Sequence, residues 1–133
     1  MNEVVREWVE KAEGDFLTAR REMAAPDRPN YDAVCFHAQQ CVEKLMKALL
    51  ISKNVVPPKT HDLVRLSDLL QSAIEEWTWP LPDLRFLDRA AVQFRYPGES
   101  ANMEDAEETL SIASVLRQRL ITLLNPGPLF ADS

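Results

Sequence analysis

The stretch YDAVCFHAQQCVEKLMKALLIS, residues 31–52, constrains the fold more than any other part of the sequence. Its apolar residues recur at the three- and four-residue spacing of an α-helix, and at about 100° per residue they cover roughly half of the circumference. Asn30, just before it, is a suitable N-cap. At ~1.5 Å per residue the helix is about 33 Å long. Such a wide apolar face predicts a central helix that contacts two or three neighbours.

The rest of the sequence also predicts helices. Apolar stripes of helical period run over Val5–Met23, Leu63–Trp77, Leu84–Phe94 and Met103–Leu123. Proline-containing segments separate them. Thr60 is the expected N-cap of the third helix, and the last helix is expected to start near Asn102. The sequence therefore predicts an all-α fold, an antiparallel five-helix bundle over residues 1–124 with a C-terminal tail at 125–133.

Composition excludes several classes of protein. A net charge of −6 over 133 residues argues against broad non-specific nucleic-acid binding, although a local basic patch remains possible. No run of about 18 apolar residues is present, so no membrane span is expected. Cys35 and Cys41 fall on opposite faces of one helix and cannot bridge each other, which fits a reducing, cytoplasmic location. Two cysteines and two histidines without paired ligand spacing predict no metal site, and no cofactor is expected.

Four polar residues share the remaining arc of the second helix: His37, Gln40, Lys44 and Lys47. Such residues can border a pocket, lie at a subunit interface, or face water. Glu43 and Lys47 have the i,i+4 order of a surface ion pair, so Lys47 is the one most typical of a solvated face. His37, Gln40 and Lys44 adjoin the apolar face, which leaves both a binding cleft and a structural hydrogen-bonding role open.

Four short pieces occur in order along residues 8–97. They are WVEKAEGDFLTAR in the first helix, YDAVCFHAQQCVEKLMKALL in the second, THDL at the third and RYP after the fourth. In this order and spacing they resemble the HEPN domain family (higher eukaryotes and prokaryotes nucleotide-binding). The resemblance implies a compact all-α domain that forms a homodimer. It also implies a small nucleotidyltransferase as partner, since prokaryotic members are often encoded beside one and form toxin–antitoxin pairs with it.

The ribonuclease motif of many family members is missing from this chain. That motif is an arginine followed, after four to six residues, by a histidine. After Arg95 the corresponding positions hold serine, alanine and asparagine, and the nearest arginine before either histidine is Arg28. A neutral imidazole is the obvious proton acceptor for attack by a 2′-hydroxyl near pH 7, so its absence argues against catalysis. No catalytic residue is assigned.

A homodimer is also expected from the residues themselves. The second helix carries more apolar surface than a five-helix bundle of this length needs to cover. A two-fold, self-complementary interface is the commonest way to use such a surface.

The sequence therefore predicts a nucleotide- or RNA-binding module that works with a small nucleotidyltransferase. Two alternatives stay open, a metal-independent ribonuclease that uses Arg95 with His37 or His61, and a non-catalytic dimeric docking protein. His61 can equally serve a local role at a helix start, and Arg95 can pack a helix end. The residues predicted to contact a nucleotide or a protein partner are His37, Gln40, Lys44, Lys47, His61, Arg95 and Tyr96.

Overall fold

The computed structural model describes residues 2–125, and this range forms five α-helices and no β-strand. The helices are α1 (Glu3–Met23), α2 (Tyr31–Ser52), α3 (Leu63–Ala73), α4 (Leu81–Gln93) and α5 (Met103–Leu124). The predicted all-α bundle is confirmed over this range. The predicted tail, from residue 126 onward, lies outside the described residues.

Side-chain caps fix where most of the helices begin. The Asn30 Oδ1 atom accepts a first-turn N–H of α2 at 3.0 Å, as predicted. The predicted cap of α3, Thr60, is wrong: Asp62 Oδ1 accepts two first-turn N–H groups, at 2.9 and 3.3 Å. An aspartate carboxylate is the stronger cap. The Thr60 hydroxyl instead accepts the N–H of Asp62 at 3.1 Å and shapes the turn before the helix.

Helix α2 is the centre of the bundle and contacts each of the other four helices. Leu45, Met46 and Leu49 have no exposed surface. The predicted surplus of apolar surface on α2 is therefore wrong, because α1, α3, α4 and α5 cover this face within one chain. The large apolar side chains that are exposed lie elsewhere: Val4, Leu17, Val56, Val92, Tyr96, Met103 and Val115.

As predicted, the two cysteines do not bridge each other, and both are buried. Burial raises the pKa of the Cys41 thiol to about 12, so this cysteine is no candidate nucleophile at neutral pH. Within residues 2–125, no helix is both long enough and apolar enough to cross a bilayer.

Candidate functional site

The polar strip of α2, defined as His37, Gln40, Lys44 and Lys47, lies against α1, where Asp15 bridges two of its residues. The Nδ1–H of His37 donates to Asp15 Oδ1 at 2.8 Å, and the Nζ of Lys44 donates to Asp15 Oδ2 at 2.6 Å. The His37 and Lys44 side chains are 31% and 24% exposed, so both edges of this bridge reach solvent. Because a carboxylate only accepts, Nδ1 of His37 carries a proton, and in the neutral ring Nε2 is the acceptor.

The middle of the strip is organised by Glu43, whose side chain is only 3% exposed. Its carboxylate accepts from Lys47 Nζ at 3.1 Å, from His61 Nδ1 at 3.1 Å and from Gln40 Nε2 at 3.1 Å. The interpretation of Lys47 as a solvated surface residue is wrong, since its side chain is 9% exposed. The ammonium lies 5.7 Å from the centre of the Trp8 ring on α1, which covers this end of the strip.

A second, partly buried polar junction joins α2, α3 and α4. The Nε2 of Gln39 donates to the His61 carbonyl and to Asp88 Oδ1, both at 3.0 Å. The other oxygen of Asp88 accepts the first N–H of α3, from Leu63, at 2.9 Å. Burial raises the pKa of the Asp88 carboxyl to about 6, and the donors from Gln39 and Leu63 oppose that rise only in part.

The RYP segment lies beside the N-terminal half of α2. The Arg95 guanidinium stands 5.5 Å from the centre of the Phe36 ring, and Phe36 meets the His37 ring edge-to-face at 5.2 Å. Arg95 is exposed, and Tyr96 is 63% exposed. We call Phe36, His37, Arg95 and Tyr96 the arginine–aromatic cluster.

His61 is placed differently from His37. Its side chain is 77% exposed, with Nδ1 held by Glu43. It lies at the edge of an open groove of about 580 Å³ between α3 and α4, which we call the α3–α4 groove. The residues that line this groove are His61, Asp62, Val64, Arg85, Asp88, Arg89 and Val92.

The structure thus divides the seven predicted residues into three groups. His37, Arg95 and Tyr96 belong to the arginine–aromatic cluster, with Lys44 beside it through Asp15. Gln40 and Lys47 donate hydrogen bonds to the buried Glu43, and His61 lines the α3–α4 groove. The sequence prediction missed Asp15, Phe36, Gln39 and Asp88.

These observations define the protein as an all-α helical bundle whose central helix carries a strip of polar residues. The family model described as HEPN domain matches residues 5–122, and the chain belongs to the HEPN domain family. The resemblance to this family that was noted in the sequence is therefore confirmed.

Two solved structures share the fold. One is the crystal structure of TT1696 from Thermus thermophilus, with 25% identity and a TM-score of 0.73 over 90% of this chain and 97% of that one. The other is the crystal structure of ST0689, an archaeal HEPN homologue, with 24% identity and a TM-score of 0.63 over 88% and 94% of the two chains. The comparison with curated proteins found no match.

Proposed function

We propose that this protein binds nucleotides or RNA through the arginine–aromatic cluster. The observation that carries the proposal is the exposed Arg95 guanidinium over the Phe36 ring, which itself meets the His37 ring edge-to-face. The exposed Tyr96 follows Arg95 directly in the chain. Proteins that bind unpaired bases combine aromatic faces for stacking with guanidinium groups for phosphate. Within the cluster, Arg95 and Phe36 supply the two kinds of group within contact distance of each other, and Tyr96 adds a second exposed ring one residue further along the chain.

The ion pairs behind the cluster decide which cations can reach a phosphate. Lys47 is buried against Glu43 and is not a candidate ligand. Lys44 is partly exposed but pairs with Asp15, so a phosphate would have to compete with a carboxylate at 2.6 Å. None of the ion pairs in residues 2–125 involves Arg95. Arg95 is therefore the principal phosphate contact in this proposal, and Lys44 is secondary.

The test is thermal melting of the protein against ATP, GTP, CTP, UTP and a short single-stranded RNA. A ligand at ~100 times its dissociation constant adds about 2.7 kcal/mol to the free energy of unfolding. That corresponds to a rise in Tm on the order of 10 °C for a domain of this size. We expect at least one ligand to raise the Tm, and Arg95→Ala to abolish the shift.

Arg65→Ala is the matched control, because Arg65 is an exposed arginine on α3 outside the cluster. An equal shift in Arg95→Ala, or no shift with any ligand, would reject the proposal and favour the docking protein. Cleavage of the RNA in the absence of metal, lost in Arg95→Ala and in His37→Ala, would instead assign the ribonuclease. The observation that keeps this second function open is His37 itself, whose ring is oriented by Asp15 and whose Nε2, in the neutral ring, can accept a proton.

We also propose that the protein forms a homodimer and acts with a small nucleotidyltransferase in a toxin–antitoxin-like pair. Membership of the HEPN domain family supports the homodimer and also the nucleotidyltransferase partner. The surface that could supply the dimer contact is the α1–α5 groove, where Leu17 is 45% exposed beside Met23 and Leu110. Sedimentation at micromolar concentration should give the dimer mass, and Leu17→Glu should give the monomer mass. A monomer in the unmodified chain would contradict the proposal.

A further inference from the structure

The α3–α4 groove has a chemistry that the nucleotide proposal does not use. Val64 and Val92 contribute apolar surface, and Val92 is 51% exposed although it is a large aliphatic residue. Arg85 and Arg89 flank the groove from α4, and both are exposed. An apolar groove between two helices with a cationic edge is suited to an amphipathic partner helix.

The acidic side chains of the groove have hydrogen-bond partners within the chain, whereas its arginines have no ion-pair partner in the part of the chain that the structure describes. Both oxygens of Asp88 already accept N–H groups, and Asp62 caps α3. In contrast, no carboxylate of residues 2–125 pairs with Arg85 or Arg89. On a chain with a net charge of −6, these two arginines form a local cationic surface without an internal partner.

We propose that the α3–α4 groove docks an acidic amphipathic helix of a partner protein. Two carboxylates one helical turn apart would face Arg85 and Arg89, which have the same i,i+4 spacing of about 6 Å. Each guanidinium can hold a carboxylate through two parallel hydrogen bonds. An aliphatic side chain between the two carboxylates would cover Val64 and Val92.

The same residues favour a protein helix over a nucleic acid. An acidic helix can place its two carboxylates on Arg85 and Arg89 alone. A nucleic-acid strand, in contrast, carries a phosphate at every nucleotide and would set some of them against the carboxylates of Asp62 and Asp88. The groove also lacks a Phe, Tyr or Trp ring on which bases could stack, because its lining holds only the His61 imidazole as a ring. The inference is independent of nucleotide binding, since none of the groove residues belongs to the arginine–aromatic cluster.

The probe is a synthetic helical peptide with leucines along one face and two glutamates one turn apart, titrated into the full chain. We expect binding with NMR shift changes at the methyl groups of Val64 and Val92. The double variant Arg85→Glu/Arg89→Glu should bind at least about tenfold more weakly, because two attractive pairs become repulsive. A peptide with lysines in place of the two glutamates should bind that variant better than it binds the unmodified protein.

The matched control is Arg28→Glu/Arg65→Glu, which changes the net charge equally at two exposed arginines outside the groove. It should bind the acidic peptide as the unmodified chain does. The proposal is overturned if the acidic peptide does not bind, or if the groove variant binds it equally well. It is also overturned if a uridine oligonucleotide, and not the peptide, shifts the two valine methyls. Nucleotide-dependent melting should be unchanged in the groove variant, so the two proposals can fail separately.

Discussion

Glu43→Leu is expected to lower the free energy of unfolding by about 3 kcal/mol. The substitution removes the carboxylate that pairs with Lys47, and it leaves an ammonium group whose side chain is 9% exposed without a partner. It also removes the acceptor of Gln40 and of the His61 ring. For a domain of this length the loss corresponds to a fall in Tm on the order of 10 °C, which urea titration and melting both measure.

The double variant Glu43→Leu/Lys47→Met should recover most of that loss. Replacing a buried ion pair by apolar residues of similar volume is often neutral or stabilising, whereas breaking it is strongly destabilising. Glu13→Leu is the matched control, because Glu13 pairs with Arg117 where the two side chains are 35% and 24% exposed. Its loss should be about 1 kcal/mol or less. Equal losses for Glu43→Leu and Glu13→Leu, or no recovery in the double variant, would show that Glu43 does not hold a buried charge.

The sequence predicts the helices well because the signals that define them are local. The apolar period of α2 and its cap, Asn30, lie within a few residues of what they determine. The wrong cap of α3 shows the limit of this reasoning. Thr60 and Asp62 are both good capping residues two positions apart, and the backbone path through the preceding turn decides between them.

The site is predicted less completely because its contacts join distant parts of the chain. Lys47 has the i,i+4 spacing from Glu43 that is typical of an exposed ion pair on a helix, but Trp8, on another helix, covers it. Asp15 and Asp88 were missed because their partners on α2 are 22 and 49 residues away. Each does leave a signal in the sequence: Asp15 lies four residues before Ala19, and Asp88 four residues after Leu84, within or beside an apolar stripe. A carboxylate there predicts a buried polar partner without identifying it.

The second large effect concerns pH and Asp88. Burial raises the pKa of this carboxyl from 3.8 to about 6 in the folded chain. Between these values the folded state holds a proton that the unfolded state has released, so the contribution of Asp88 to stability falls as the pH rises. The contribution is greatest below about pH 4 and is lost above about pH 6. A shift of this size corresponds to about 3 kcal/mol.

The measurement is urea unfolding of the unmodified chain and of Asp88→Asn from pH 4 to pH 7. Other carboxyl groups also titrate in this range, but their effects cancel when the two proteins are compared at each pH. Asparagine resembles the neutral carboxyl and keeps an acceptor oxygen, so Asp88→Asn should become more stable relative to the unmodified chain by about 2 to 3 kcal/mol as the pH rises. Asp68→Asn, at an exposed position on α3, controls for the loss of one carboxylate.

A constant difference between the unmodified chain and Asp88→Asn across the range would mean that Asp88 is ionised in the folded protein throughout. The junction of Gln39, Leu63 and Asp88 would then be a charge-assisted cap of α3 and not a burial site for a neutral carboxyl.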